Sequence, residues 1–394
     1  MGKSGKPGKV GKGGKTGRTS MGWTGWGSGL LLVPGQLGVI AAEVATRVSP
    51  AEFPYLAPAG LVYPWALLLL VLGMFWRLLQ GRFAGLVVPL VVCIITWSHV
   101  RVTWGGSGSE NEALKGGHQA LDTPMQDSLE VMSWNVRQFD RFGWLGGAQT
   151  RDEILKTMET ASPGILCIQE CFLDAGKKPF LTLKELKKRL GLEHADTEFG
   201  GESSQEQRMG LVTLSRYPVV GSVHVRFEND KDNAALATDL KIGDDTIRVI
   251  NAHLSSIRFD QQDYEAVRRG PDAGERARLW RRLRKAWEKR AVQAEQLAEF
   301  VEASPHPVIV CGDFNDTPVS YAMAQFRRHV VDAFATHGSG LGGTYIGDLP
   351  SLRIDFIMHS PALEALRFEK VGARLSDHHA VRTTLIGRTG PVAD

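Results

Sequence analysis

The sequence predicts an α/β domain of layered sheets and outer helices, carried behind about three transmembrane helices. Residues 22–100 hold three long apolar stretches with short connections, and from residue 129 onward strand-like and helix-like patterns alternate as hairpins and crossovers. A third observation bears on chemistry: polar side chains recur where the apolar runs of this second part begin or end.

In chain order, residues 1–18 have Gly at every third position with Lys or Arg beside each one. Such a composition cannot build a core, so residues 1–21 are expected to form a disordered tail. Three lookalikes fail. A phosphate-cradling loop needs Gly where Lys9 stands, collagen needs far more Pro, and N-myristoylation wants Ser or Thr at Lys6.

Gly22–Ala42, Tyr55–Trp76 and Ala84–Val100 are each free of Asp, Glu, Lys and Arg, and each is about as long as a bilayer core requires. Trp23, Trp26, Tyr55, Trp76 and Trp97 fall near the segment ends, where amphipathic rings settle at an interface. The first segment is the weakest, because Pro34, Gly35 and Gln36 interrupt it. Residues 22–101 are therefore expected to be a membrane anchor. The tail is basic, the second connection carries Arg77 and Arg82, and the first holds only Arg47, which places the tail in the cytoplasm and everything after the third span outside. A cleaved signal peptide in place of the first span would leave the domain on the same side.

Residues 102–128 are rich in Gly, Ser and charge and read as a linker. A domain over 129–388 follows. Its strands are "LEVMSWNV", "GILCIQE", "GLVTLSRY", "ALATDLKI", "TIRVINAHL", "PVIVCGDFN", "LRIDFIMH" and "HHAVRTTLI"; its helices are "RDEILKTMETA", "LTLKELKKRL", a long basic helix and one from about Ser320. The net charge of +3 is unremarkable, and Cys167, Cys171 and Cys311 lack metal-ligand spacing, so they read as core thiols.

The strand ends deliver Asn135, Glu170, Asn251 with His253, Asp313 with Asn315, Asp355, and Asp377 with His378 and His379. Six such placements would be costly in a core, since an unpartnered buried polar atom costs roughly 1–3 kcal/mol. They are expected to converge. The set holds carboxylates, amides and imidazoles, with no Ser or Cys nucleophile beside a base and no His/Cys cluster suited to zinc. Oxygen ligands of this kind favour Mg2+ or Mn2+, with histidines moving protons or steadying charge on a phosphoryl oxygen. The expected reaction is hydrolysis of a phosphate ester.

In this order, "SWNVRQFD", "CIQE", "GLVTLSRYP", "INAHLSS", "GDFND", "RIDFIM" and "SDHHAV" resemble the endonuclease/exonuclease/phosphatase superfamily, from about residue 129 to 387. With the apolar segments in front, the chain most resembles its bacterial membrane-anchored members. The resemblance implies a four-layer α/β sandwich with the site at one edge, at the outer face of a bacterial inner membrane. It makes Glu170 the main metal ligand, with Asn135 beside it and Asp377 close by. Asp313 and Asn315 would orient the phosphate and the attacking water, and His253 would bond a non-bridging oxygen or assist the leaving group. Asp355 would hold His378 in its working tautomer, and either His378 or Asp313 would take the water's proton. Asn251 and Tyr345, the latter in "GGTYIG", are candidate substrate contacts, with core packing the alternative for Tyr345. Glu206 lies near but out of step with a further acidic position of some relatives, so that role stays empty.

One insertion bears on specificity. "RLWRRLRKAWEKR", residues 278–290, reads as a basic helix with Trp280, Leu283 and Trp287 on one stripe. It suits an anionic membrane surface or a nucleic-acid backbone, or else packs its stripe on its own domain with the charges solvated. The substrate classes left open are a lipid headgroup, a small phosphodiester and nucleic acid, and a catalytically silent membrane-bound binding module stands as the reading from another class.

Overall fold

In a computed structural model of the chain, residues 2, 24–106, 128–200, 207–228, 230–347, 351–371 and 374–387 are described. The expected disordered tail apart from residue 2, most of the expected linker and Glu206 lie outside them. The N-terminal elements are α1 (Thr24–Ala45), α2 (Ala57–Leu79), α3 (Val87–Ile95) and α4 (Trp97–Trp104). The domain then runs β1 (Leu129–Asn135), α5 (Ala148–Ala161), β2 (Ile165–Asp174), α6 (Leu183–Leu190), β3 (His194–Phe199), β4 (Gln207–Ser215), β5 (Val219–Phe227), β6 (Asp230–Ile242) and β7 (Asp245–His253). It continues with α7 (Gln261–Arg269), α8 (Ala273–Glu302), β8 (Val308–Asp313), α9 (Tyr321–Phe326), β9 (Val331–Asp332), α10 (Ala333–His337), β10 (Asp355–His359), β11 (Leu363–Val371) and β12 (Ala380–Gly387).

Two mixed six-stranded sheets pack face to face, one in the order β11-β12-β1-β2-β4-β3 and the other β5-β6-β7-β8-β10-β9. Each has a parallel pair near its centre, β1 with β2 and β7 with β8. The alternation of side chains along a strand explains the layers. Val131, Ile165 and Cys167 point inward to meet Val249, Ile309 and Cys311 of the other sheet. Met132, Trp134, Leu166 and Ile168 point outward under Ile154, Leu155 and Met158 of α5 and Leu186 of α6. On the far face Ala252, Val308 and Val310 pack against Ala294, Leu297 and Val301 of α8. The result is the expected four-layer sandwich, with Cys167, Cys171 and Cys311 buried as free thiols.

The N-terminal unit departs from the expected pattern in two places. Helix α1 runs unbroken through Pro34, and Gly35 is a packing notch: a Cβ there would lie 2.6 Å from the Leu70 backbone nitrogen of α2. Small residues let apolar helices approach closely, as Gly38 does against Ala66. The third apolar segment is not one straight helix, since α3 and α4 meet at 66°. The break falls at Thr96, whose hydroxyl donates to the Val92 carbonyl 2.8 Å away, a local competitor for the helical ladder. Among the described residues, two helices are thus long and apolar enough to cross a membrane, or three if the bent pair is one span.

This unit is docked on the α/β domain. The Val102 carbonyl accepts a 2.6 Å hydrogen bond from Arg353, Val319 and Ala335 share a core with Val39, Tyr63 and Leu70, and the Tyr55 ring stacks on Trp280 of α8 at 5.5 Å. The apolar stripe of α8 therefore faces its own chain, while Arg281, Arg284 and Lys285 stay exposed. One expected solvated charge is not solvated: Arg290 is buried, 3.1 Å from the Asp316 carboxylate and 2.8 Å from the Ser255 carbonyl.

Arg353 lies between the rings of Phe334 and Phe356 and also bonds Asp332 at 2.8 Å. Removing one partner of such a buried pair strands the other charge, at a cost of roughly 3–5 kcal/mol. Arg353→Met is expected to lower the thermal unfolding midpoint of the full chain in detergent by several degrees, read by differential scanning fluorimetry.

Candidate active site

Strand register builds one side of the site. In the second sheet His253 of β7 lies opposite Asp313 of β8, and Asp313 lies opposite Asp355 of β10, so three polar side chains stand in one row across three strands. Gly312 permits the turn-out: its φ is +141°, and a Cβ would fall 1.9 Å from the Ala252 carbonyl oxygen. Beyond it the Asp313 Oδ1 accepts the Asn315 backbone N–H at 2.9 Å, and the Asn315 side-chain amide donates to the Leu254 carbonyl at 3.0 Å.

The first sheet supplies the opposite side. Between Ile168 and Cys171 the pairing of β2 slips, and Glu170 adopts φ +50°. This bulge re-aims Glu170, while Gln169 keeps the inward face of Ile165 and Cys167. Gln169 is fully buried and donates to Asn251 Oδ1 at 2.7 Å and to the Ser133 hydroxyl at 3.1 Å. Glu170 turns to the opening with its side chain 28 % exposed. Asn135, at the end of β1, closes the two sheets together: its amide donates to Glu170 Oε1 at 3.1 Å and to Asp313 Oδ2 at 3.0 Å.

His378 reaches this cluster from the turn before β12. Its Nδ1 is 2.9 Å from Asp355 Oδ2, its Nε2 is 3.7 Å from Asp313 Oδ2, and its backbone carbonyl accepts the Trp134 indole N–H at 3.0 Å. His253 Nε2 also lies 3.7 Å from Asp313 Oδ2. Burial alone would lower the His378 imidazole, but the carboxylates of Asp355 and Asp313 outweigh it and hold the ring well above its ordinary value. Burial pushes the Asp313 carboxyl up, against the opposing pull of His378. Asp377 sits at the rim, 3.6 Å from Arg137.

Asp313, Asp355 and His378 offer ligand atoms within 4.8 Å of one another, a buried acidic and imidazole cluster. Asp355 Oδ1 is buried with no hydrogen-bond partner, so the cluster holds an uncommitted acceptor. A donor set of carboxylates, amide and imidazole without thiolate fits a hard divalent ion. This trio shares no residue with the expected ligands Asn135, Glu170 and Asp377: His378 Nδ1 is already committed to Asp355, and Glu170 lies nearer the opening. Beside the cluster runs an open groove of about 1210 Å3, lined among others by Glu170, His253, Phe172, Phe199, Arg208 and Arg258.

Of the candidate substrate contacts, Tyr345 is half-buried with its ring 5.4 Å from that of His378 and its hydroxyl 3.4 Å from that of Tyr264. Asn251 requires correction. It has no exposed surface; its amide donates to the Ile168 and Val212 carbonyls at 3.3 and 3.1 Å, and its oxygen accepts Gln169. An inward position on β7 makes it a tie between the sheets, out of a substrate's reach. Sequence reasoning passed over Gln169, Trp134, Thr344, whose hydroxyl accepts the Asp355 N–H, and Ser376, whose hydroxyl donates to the Asn135 carbonyl. The available signal was Gln169 itself, a polar residue at an inward position of an apolar run.

Asn251→Ala would take from Gln169 its shortest acceptor and from the Ile168 and Val212 carbonyls a donor. With roughly 1–3 kcal/mol for each unsatisfied buried group, a loss of stability of at least about 2 kcal/mol is expected, measured as a shift of the urea unfolding midpoint.

Residues 132–378 match the endonuclease/exonuclease/phosphatase family, and residues 37–103 match a domain of unknown function, DUF8431. No curated protein matches. Among solved structures, an endonuclease/exonuclease/phosphatase from Beutenbergia cavernae shows 20 % identity and a TM-score of 0.48, covering 68 % of this chain and 73 % of its own. The human Nocturnin catalytic domain with bound sulfate shows 20 % and 0.46, covering 66 % and 93 %. A family protein from Bacteroides vulgatus shows 17 % and 0.47, covering 67 % and 100 %. A family match over more than half the chain, spanning every strand that carries the Asn135–Glu170–Asp313–His378 cluster, means that this chain belongs to the endonuclease/exonuclease/phosphatase family.

Proposed function

We propose that the chain is a divalent-metal-dependent hydrolase of phosphate esters, a phosphodiesterase or phosphatase, held by about three spans in a bacterial inner membrane with its catalytic domain outside the cytoplasm. The observation that carries the chemistry is the Asp355–His378 pair closing on Asp313, with His253 on the same carboxylate oxygen.

Asp355 accepts the Nδ1 proton of His378 and so presents Nε2 to the reaction centre. His378 and His253 together offer ring nitrogens to the oxygens of a phosphoryl group seated beside Asp313. In the in-line displacement the water oxygen bonds phosphorus as the P–O ester bond breaks, and the water's proton passes to Asp313 or His378. His253 bonds a non-bridging oxygen or protonates the leaving oxygen. Asn315 orients the phosphate, and Tyr345 lies where it would contact the ester. Glu170 and Asn135 would hold Mg2+ or Mn2+, with Asp377 close by. Such an ion, when bound, supplies charge neutralisation at the phosphate oxygens.

Two contacts support the topology. The α1–α2 connection, through Tyr55 on Trp280, and the end of α4, through Val102, both meet the catalytic domain and so share its side. Arg77 and Arg82 flank the opposite connection, as the positive-inside rule wants for the cytoplasm. A second reading, an extracytoplasmic nuclease, is favoured by one observation: the groove combines Arg208, Arg226 and Arg258 with the rings of Phe172 and Phe199, as strand-binding surfaces do.

The test is turnover of bis-p-nitrophenyl phosphate by the full chain in nanodiscs. Chelation is expected to abolish it and added Mg2+ or Mn2+ to restore it. Asp355→Asn is expected to cost about 100- to 10,000-fold in kcat, and Glu170→Gln at least as much. Undiminished turnover in Glu170→Gln would sink the assignment, and absence of turnover in the wild type would leave the binding-module reading. Rapid degradation of plasmid DNA with lipid phosphodiesters untouched would shift the choice to the nuclease. Protease added to intact spheroplasts is expected to digest the domain; protection would place it in the cytoplasm.

A further inference from the structure

The loop that leaves β1 holds an exposed apolar tip beside the catalytic rim. Phe142, Trp144 and Leu145 are 66 %, 45 % and 57 % exposed. Elsewhere in the described catalytic domain, Met209, Val220, Val223, Val267, Val292, Leu341 and Leu366 are exposed, and no other four-residue stretch exposes three large apolar side chains. Single exposed apolar residues are ordinary; a cluster of them marks a contact surface.

The tip is held out rigidly. Arg137, Gln138, Phe139 and Asp140 all have positive φ, between 44° and 58°, a left-handed turn that costs L-residues roughly 1–2 kcal/mol each. The buried Asp140 carboxylate then accepts the backbone N–H groups of Leu145, Gly146 and Gly147 at 3.1, 2.7 and 2.7 Å, which fixes the far end of the loop. Backbone strain kept at such a place is a signature of function. The loop is also continuous with the site. Arg137 donates its backbone N–H to Asn135 Oδ1, stands 3.6 Å from Asp377, and lays its guanidinium over the Trp144 ring at 4.3 Å.

We propose that Phe142, Trp144 and Leu145 form a ledge that receives the hydrocarbon of an amphiphilic phosphate ester, so that the substrate class is a lipid-borne phosphate rather than nucleic acid. This rests on the hydrolase reading above. A nucleobase would want open ring faces; here one face of Trp144 lies under Arg137, and Leu145 has no ring to stack. Hydrocarbon asks only for apolar area. The apolar N-terminal helices docked on the same domain would keep such substrates at hand.

The test uses the full chain in nanodiscs with Mg2+ or Mn2+ and two chromogenic esters, methyl and octyl p-nitrophenyl phosphate, both below their micelle concentrations. The wild type is expected to favour the octyl ester by at least about tenfold in kcat/KM, the effect of burying roughly two methylenes. The triple variant Phe142→Ser/Trp144→Ser/Leu145→Ser is expected to bring that ratio near unity, and Leu145→Ser alone to reduce it part of the way. A wild type without octyl preference, or variants that keep it, would overturn the ledge. So would variants that keep the octyl ratio while losing turnover of thymidine p-nitrophenyl phosphate, which would hand the ledge to a nucleobase. Turnover of neither ester by the wild type would instead defeat the hydrolase reading, and the ledge with it.

Discussion

The site depends on one amide. Asn135 gives hydrogen bonds to Glu170 in one sheet and to Asp313 in the other, so a single side chain spans the seam between two independently twisted layers. Without it the buried Asp313 carboxylate and the Glu170 carboxylate at the opening would face each other across the seam, where like charges repel. With it the seam becomes a place where negative charge is held at a defined spacing. The surrounding bonds act on the same point: Ser376 holds the Asn135 carbonyl and Trp134 holds the His378 carbonyl.

Around that seam the chain separates two uses of polar residues that look alike in one dimension. Inward-pointing Asn251 and Gln169 are consumed in bonds between the sheets and are fully buried. Residues one step further along, past a bulge or a glycine, point to the edge and stay chemically available. Glu170 and Asp313 owe their direction to such irregularities, the slip in β2 and the positive φ of Gly312. Strain of this kind is tolerated because the strands on either side pair regularly and over-determine the backbone between them.

The N-terminal helices are more than a leash. Their contacts reach Arg353, two residues before Asp355, and Val319, four residues after Asn315, so the unit that would sit in a bilayer packs on the segments that carry the reacting groups. The orientation of the site relative to those helices is thereby set by packing, and a lipid-borne substrate would meet the catalytic rim from a defined direction.

Much of this was legible in the linear chain. Apolar runs marked β1, β2, β4, β6, β7, β8, β10 and β12, and the polar residues at their ends included Asn135, Glu170, His253, Asp313, Asp355 and His378, which lie together at the edge. Strand β3, "HADTEF", escaped because it lacks a clean apolar period, and β11 because "LEALRFEKV" carries a helix-like charge pattern; β5 was passed over although Val223, Val225 and Phe227 alternate with polar residues. The 66° break between α3 and α4 escaped because hydropathy measures length and apolarity, and a threonine back-bond changes neither. By itself the sequence determined which residues could do chemistry and that they would leave buried strands at their ends, since period and burial are local properties. Which of them turn outward, as Glu170 does, and which inward, as Asn251 does, was decided only in three dimensions, because a one-residue slip in register reverses the face of every side chain beyond it.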